Sequence, residues 1–134
     1  MSAAERFLDT KVLLYLLSSD AKKADRAEEL LTAGGILSVQ VLNEFASVAT
    51  RKIRMSVAEI REVLATIRLV CKVVPITEAT HDKGLEIADR YGLSVYDAMI
   101  IASALIAGCK ILLSEDMQDG QIIDDSLEIK NPFR

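Results

Sequence analysis

Four widely separated carboxylates are the side chains whose type and position could support chemistry in this sequence: Asp9, Glu44, Asp97 and Asp116. Carboxylates gathered in one crevice repel one another, and each raises the pKa of its neighbours. A hard divalent cation such as Mg²⁺ relieves that repulsion and binds oxygen ligands while it retains several waters. Such an ion activates water and stabilises an in-line phosphoryl displacement. This chemistry needs no His, Cys or Ser nucleophile, which suits a chain with 1 His and 2 Cys.

Short apolar runs alternate with helical patterns along the whole chain. Strands are predicted at residues 6–8, 36–37, 73–74, 111–113 and 127–129, the last of them an edge strand. Helices are predicted over 12–17 and 21–32, from a cap at Ser38, from the capping box Ser56–Glu59, from Thr77 to near Gly92, and from Ser94 to Gly108. This alternation, with uninterrupted apolar strands, predicts an α/β sandwich around a short, mostly parallel sheet that is covered on both faces.

The predicted sheet brings the four carboxylates together, because ligands of such sheets bind outside the carboxyl ends of the strands. Asp9 directly follows the first strand, and Asp116 follows the strand at 111–113. The crossover helices run antiparallel to the strands, so their N-terminal turns return to the same edge. Glu44 lies in the second turn of its predicted helix, and Asp97 lies in the first turn of its own.

Each acid also has an ordinary structural explanation. Asp9 could cap the helix that follows it, and Asp116 lies in a polar loop where acids are common. Asp97 could pair with Ser94 as in a capping box, although it is the only charge on an apolar helix and its burial is costly without a partner. Glu44 could be solvated, although it interrupts the apolar face of its helix. A common edge for all four is not expected by chance, which favours a site.

Length and composition indicate a single domain that covers residues 1–134. Hydrophobic residues make up 51% and charged residues 27%, which excludes a disordered or fibrous chain. The net charge of −4 argues against a strongly basic nucleic-acid clamp, and an aromatic content of 4% argues against base stacking as the main mode of binding. An anionic substrate therefore needs local basic patches or a metal ion.

Cysteine and histidine are too few and too scattered for an ordinary zinc site. Cys71 and Cys109 lie in apolar runs and are predicted to be buried, reduced thiols. The first residues lack the apolar core of a signal peptide, and the longest apolar stretch, 98–107, is too short to cross a bilayer. We therefore expect a cytoplasmic protein with no membrane partner.

Four segments, in order and spacing, make the sequence similar to a known family: residues 7–17, 40–45, 94–98 and 113–120. The chain resembles the PIN-domain ribonucleases, most of all the VapC-type toxins of bacterial toxin–antitoxin pairs. The resemblance implies a three-layer α/β/α fold and a Mg²⁺- or Mn²⁺-dependent endoribonuclease that hydrolyses RNA to 5′-phosphate and 3′-hydroxyl ends. It also implies a homodimer and a cognate antitoxin protein that blocks the site.

The resemblance further implies roles for the acids. Asp9, Asp97 and Asp116 would bind the metal directly or through water. Glu44 would bind a second ion or orient the attacking water, and Asp119 would be an outer member of the set.

Several neighbours of these acids could modify the site. Thr10 and Ser114 could donate hydrogen bonds to the carboxylates or to phosphate, or could only cap local structure, and Glu115 is expected to point away. Lys11 stands where the family usually has Asn. Its ammonium either reaches solvent or lies among the carboxylates, where it would compete with metal.

Two groups of basic residues are expected to be solvated surface charge. The alternative for either group is that it contacts RNA phosphate or an antitoxin. The groups comprise Arg51, Lys52 and Arg54 in one segment, and Lys22, Lys23 and Arg26 in another.

Two alternative functions remain open at this stage. One is a catalytically weakened PIN fold kept for partner binding, because Lys11 could impair the site. The other is a phosphoacceptor receiver domain, which also has acids at a sheet edge. The receiver is disfavoured because it requires adjacent acids after the first strand and an Asp after a central one. Asp9 stands alone, and the strand at 73–74 is followed by Pro75.

Overall fold

A computed structural model describes residues 2–134, which form a mixed six-stranded sheet. Its strands are β1 (Arg6–Leu8), β2 (Gly35–Ser38), β3 (Cys71–Val74), β4 (Ile111–Leu113), β5 (Ile122–Ile123) and β6 (Leu127–Lys130). The strand order is β3-β2-β1-β4-β6-β5, and every adjacent pair is parallel except β5 with β6. The prediction of a mostly parallel sheet is confirmed.

Six α-helices connect the strands within the described residues. They are α1 (Thr10–Leu14), α2 (Ala21–Thr32), α3 (Val39–Lys52), α4 (Val57–Val70), α5 (Glu78–Tyr91) and α6 (Val95–Ile106), with short 3-10 turns at Ala3–Glu5 and Tyr15–Leu17. All four residues of β2 are buried, although successive side chains of a strand point to opposite faces. Both faces of the sheet centre are therefore covered, as a three-layer α/β/α sandwich requires.

The sheet reverses its direction of growth between β1 and β4. From β1 the chain adds β2 and then β3 on one side, whereas β4 pairs with β1 on the other. Such a switch point opens a crevice at the carboxyl ends of the two strands. Asp9 follows β1 and Asp116 follows β4, so both residues flank this crevice.

Helix α6 is the most deeply buried helix of the sandwich, with every residue from Ala98 to Ala104 buried. It packs closely on α5 at Gly84, where an added Cβ would lie only 2.3 Å from the Met99 sulfur. This close approach depends on a residue without a side chain. It holds the N-terminus of α6, and with it Asp97, against the rest of the fold.

Local capping explains where several helices begin and end. Ser56 and Glu59 form the predicted capping box, and the Thr77 hydroxyl accepts a hydrogen bond from the Thr80 amide. Gly92 closes α5 in the left-handed conformation at φ 66°, which a glycine adopts without steric cost. These boundaries agree with the sequence predictions.

The predicted cap at Ser38 is wrong in its chemistry, although α3 begins there. The Ser38 hydroxyl makes no capping bond; it is fully buried and has no hydrogen-bond partner among the described residues. Ser38 is also the last residue of β2, paired with Val74 of β3, so its conformation is set by the sheet as well as by the helix.

The prediction of an edge strand at residues 127–129 is wrong. Strand β6 lies inside the sheet between β4 and β5, and β5 is the edge. The two residues of β5, Ile122 and Ile123, are too few to show an alternating pattern in the sequence. Ile122 is half exposed, as an edge position allows.

Both cysteines are buried, unpaired thiols, as predicted. Burial raises the pKa of Cys109 to about 11 and also raises the pKa of Cys71, so both remain protonated at neutral pH. Among the described residues, no helix combines the length and the apolarity needed to cross a bilayer.

Candidate active site

Asp9 is held at the end of β1 by bonds to its neighbours on both sides. Its carboxylate accepts from the Thr10 amide at 2.7 Å and from the Ser114 hydroxyl at 2.8 Å. Its own amide donates to the Leu113 carbonyl at 3.0 Å, which links the ends of β1 and β4. Asp9 therefore does cap α1, but the same side chain is also fixed in the crevice and is only 9% exposed.

The electrostatic environment of Asp9 disfavours its charge. Burial raises its pKa to about 6, against the opposing effect of the hydrogen bonds from Ser114 and Thr10. The negative charges of Glu44 and Asp97 raise it further. Asp9 thus lies in a group of like charges without enough positive charge to balance it.

Glu44 is directed into the crevice from the second turn of α3. It accepts from the Thr10 hydroxyl at 2.6 Å and from the Gln40 amide at 3.0 Å. Gln40 also donates to the Tyr96 carbonyl at 3.1 Å, which ties the start of α3 to the start of α6. Thr10 consequently connects two acids, since its amide donates to Asp9 and its hydroxyl to Glu44.

Asp97 lies in the first turn of α6, where its amide donates to the Ser94 hydroxyl at 3.2 Å. Burial raises the pKa of Asp97, and the Ser94 hydroxyl lowers it. The charges of Asp116 and Glu44 raise it again. Asp97 is therefore close enough to the other acids to be repelled by them.

Lys11 pairs with carboxylates of the loop after β4, and its side chain is 40% exposed. Its ammonium nitrogen is 2.9 Å from Asp116 Oδ1 and 3.7 Å from Glu115 Oε1. The hydrogen bond that Lys11 donates to Asp116 raises the pKa of Lys11, so this lysine is charged at neutral pH. Glu115 turns towards Tyr15 and Lys23 and away from the other acids.

All four acids that the sequence analysis predicted to form a site line one cavity of about 280 Å³. Thr10, Lys11 and Arg51 also line it. A second cavity of about 330 Å³ continues beyond Asp97 and Asp116, which line both spaces. The crevice therefore extends to either side of those two acids.

Other predicted residues lie outside the cavity of the four acids. Asp119 accepts from the Asn131 amide at 2.7 Å and pairs with Arg134 at 3.4 Å, so it fixes the C-terminal segment. Lys22, Lys23 and Arg26 border a separate, smaller cavity. Lys52 and Arg54 do not line the acidic cavity, in contrast to Arg51.

Sequence reasoning missed Gln40, which has no charge and lies one turn before Glu44. The spacing of four residues along a helix was the available signal, because side chains at that spacing are neighbours.

The donor set suits a hard divalent ion. Within residues 2–134, no three Asp, Glu, His or Cys side chains are grouped as metal ligands, since several of the acids are turned towards protein donors. Mg²⁺ nevertheless needs only one or two carboxylates, because water supplies its remaining ligands. The buried, uncompensated charge at Asp9 is the type of site where such an ion is stabilised.

Comparison with known proteins identifies the family. A family model described as PIN domain matches residues 6–118, a range that contains Asp9, Glu44, Asp97 and Asp116. The chain belongs to the PIN domain family. Asp119 falls just beyond the matched range. No curated protein sequence matches the chain.

Several solved structures share this PIN fold at low sequence identity. A toxin–antitoxin complex from Klebsiella pneumoniae has a TM-score of 0.71 at 18% identity, covering 95% of this chain and 97% of that one. VapC20 from Mycobacterium tuberculosis, described as a sarcin-ricin loop cleaving toxin, has a TM-score of 0.66 at 21% identity and covers 83% and 89%. VapBC2 from Rickettsia felis, bound to a promoter DNA fragment, has a TM-score of 0.62 at 16% identity and covers 94% and 97%.

Proposed function

We propose that this PIN domain protein is a Mg²⁺- or Mn²⁺-dependent endoribonuclease and the toxin of a toxin–antitoxin pair. One observation carries the proposal: within the family match, four acids distant in sequence line one cavity, and the most buried of them has a pKa raised to about 6. A nuclease of this type needs uncompensated carboxylates at a crevice. We further propose that residues 1–134 form one domain and act in the cytoplasm on RNA.

In this proposal Asp9, Asp97 and Asp116 hold the divalent ion, and Glu44 holds a second ion or orients the attacking water. A bound divalent ion supplies two effects, the activation of water and the stabilisation of charge on the phosphoryl oxygens. Thr10 fixes the orientation of Glu44 through its 2.6 Å hydrogen bond.

In this proposal, the cations around the cavity bind the substrate. Arg51 lines the cavity on the α3 side, and its guanidinium donates to the Ser47 hydroxyl at 3.3 Å. An RNA phosphate beside the four acids would be held by such a group, because a guanidinium matches the oxygens of a phosphate. Hydrolysis would leave 5′-phosphate and 3′-hydroxyl ends.

The deciding experiment is metal-dependent cleavage of RNA by wild-type protein and by Asp97→Asn. Cleavage should require Mg²⁺ or Mn²⁺ and be lost in the variant. Asp124→Asn is the matched control, because it removes the same charge from a carboxylate that is paired with Lys83 and Arg90 outside the cavity, and it should cleave like wild type. Folded wild-type protein that does not cleave RNA with either metal would favour the alternative, a partner-binding PIN module.

That alternative has one specific observation in its favour, the ion pair between Lys11 and Asp116. The pair occupies a predicted metal ligand with a protein cation. We regard the enzyme as the better proposal because Asp9 and Asp97 have no such cation at their carboxylates among the described residues.

We also propose two protein partners. Several similar structures are toxin–antitoxin complexes by their descriptions, which supports an antitoxin that covers the acidic cavity. The second partner is another copy of this chain. Exposed apolar side chains beside a cavity of about 490 Å³ support such a homodimer: Ile76, Val95 and Tyr96. Light scattering of the purified protein gives its mass and tests the homodimer.

A further inference from the structure

Lys11 has two carboxylates within ion-pair distance, and they differ in their relation to the cavity. The Lys11 nitrogen is 2.9 Å from Asp116 and 3.7 Å from Glu115. Asp116 lines the cavity of the four acids, whereas Glu115, the residue before it, does not. The ammonium therefore neutralises a site carboxylate while a second acceptor lies beside it, outside the site.

Glu115 is fixed in place by other side chains. It accepts a hydrogen bond from the Tyr15 hydroxyl, and its other oxygen is 3.6 Å from the Lys23 nitrogen. The Tyr15 ring is itself packed, with Lys23 over its face and Phe133 against its edge. Glu115 is only 21% exposed, so it is held in a fixed position beside Asp116.

The ion pair between Lys11 and Asp116 is easy to break. The two side chains are 40% and 56% exposed. Exposed pairs of this kind contribute little to stability, because water screens the attraction and both side chains lose freedom. A divalent ion attracts a carboxylate more strongly than an ammonium does, since its charge is twice as large.

We propose that Lys11 is a displaceable counter-cation, which neutralises Asp116 in the metal-free protein and transfers to Glu115 when a divalent ion binds Asp116. This inference rests on the proposed function, because it requires a divalent ion in the cavity. Lys11 and Glu115 are positioning residues in this scheme. Lys11 sets the metal concentration at which the site fills, and Glu115 makes the displacement of Lys11 less costly.

The test is a double-mutant cycle on Mn²⁺ binding, measured on the full chain by electron paramagnetic resonance of free Mn²⁺ at fixed ionic strength. The variants are Lys11→Gln, Glu115→Gln and the two combined. Lys11→Gln should lower the dissociation constant roughly fivefold, the scale of an exposed ion pair. Glu115→Gln should raise it in the wild-type background but leave it unchanged in the Lys11→Gln background, because the coupled residues are not additive.

Lys83→Gln is the matched control for net charge. It removes one positive charge and breaks a 2.8 Å ion pair with Asp124, and neither residue lines the cavity of the four acids. Its dissociation constant for Mn²⁺ should equal that of wild type. A shift as large as that of Lys11→Gln would overturn the inference, since net charge alone would then explain the effect.

The remaining outcomes separate this inference from the proposed function. Equal Mn²⁺ affinity in wild type and Lys11→Gln overturns the inference but leaves the metal site intact. An equal effect of Glu115→Gln in both backgrounds overturns the transfer to Glu115. Absence of Mn²⁺ binding in every variant overturns the proposed function together with the inference.

Discussion

Asp9 and Asp124 are both hydrogen-bonded acids, yet their pKa values shift in opposite directions. Asp124, in the turn between β5 and β6, has Lys83 at 2.8 Å, Arg90 at 3.1 Å and the Tyr91 hydroxyl at 3.2 Å. The hydrogen bond from Lys83 is the largest effect and lowers the pKa of Asp124, with Tyr91 and Arg90 acting in the same sense. This acid has its counter-charges within the chain, and it fastens the β5–β6 turn to α5.

Asp9 has the opposite surroundings. Its neighbours in the crevice are Glu44 and Asp97, and burial with their charges raises its pKa to about 6. Lys11, which lines the same cavity, pairs with Asp116 instead. The structural acid Asp124 is neutralised by cations of the fold, whereas the carboxylates of Asp9 and Asp97 have no cation paired with them among the described residues. A cation from outside the chain can therefore bind there.

The largest expected effect is on catalysis, from Glu44→Gln. The amide keeps the shape of the side chain and can still accept from Thr10, but it removes the charge needed to hold an ion or orient water. We expect RNA cleavage at saturating Mn²⁺ to fall roughly 10²-fold or more, as for loss of a positioned catalytic group. Single-turnover cleavage measures it, and circular dichroism confirms folding.

Asp124→Asn is the control for this loss, because it removes a carboxylate that Lys83 and Arg90 neutralise. Its cleavage rate should stay near that of wild type. Near-normal cleavage by Glu44→Gln would mean that Glu44 has a structural role. The charge of Glu44 would then not be needed for catalysis.

A smaller effect is expected on thermal stability in the presence of metal. An ion that binds only the folded state stabilises it by about 2.7 kcal/mol at 100 times its dissociation constant. Mn²⁺ should therefore raise the Tm of wild type and of Asp124→Asn, measured by calorimetry. The double variant Asp9→Asn/Asp97→Asn should lose the rise. A full Tm shift in that double variant would locate the ion elsewhere.

Much of the acidic cavity could be predicted because its positions follow from regular elements. Asp9 and Asp116 come after apolar strands, and parallel strands end at one edge. Glu44 interrupts an apolar helix face, and Asp97 is the only charge on its helix. In each case the local pattern, combined with the topology, is enough to place the acid at the carboxyl edge of the sheet.

The contacts around Asp124 could not be predicted, because they depend on irregular backbone. Asp124 and Asp125 adopt positive φ angles of 50° and 54°, in a turn that the sequence does not signal with glycine. The turn brings Asp124 to Lys83, far away in sequence. The position of the Lys11 ammonium and the structural role of Asp119 likewise depend on the path of the loop after β4.

Asp9 and Asp124 should also have opposite effects on how the stability of the protein depends on pH, measured without metal. The pKa of Asp9 is raised from 3.8 to about 6, so its contribution to stability is complete below about pH 3.8 and is lost as pH rises through about 6. Asp9→Asn, neutral at every pH, should therefore raise the free energy of unfolding in EDTA near pH 8, by about 1.4 kcal/mol for each unit by which the fold raises the pKa of Asp9. This gain should disappear near pH 4. A gain that is independent of pH would show that charge at Asp9 is not the cause.

Asp124→Asn should show the reverse, with the smallest effect. The pKa of Asp124 is lowered below 3.8, so its contribution is present above that pH and is lost as pH falls through the lower folded value. Asn tolerates the positive φ of this position and can still accept from Tyr91, so the substitution isolates the charge. Urea denaturation near pH 7 should give a loss of up to about 1 kcal/mol, the scale of a surface ion pair. The loss should shrink as pH falls below 3.8 and Asp124 becomes protonated. A loss that persists unchanged in acid would mean that Asp124 holds the β5–β6 turn by hydrogen bonds alone, and the contrast with Asp9 would then not be one of charge.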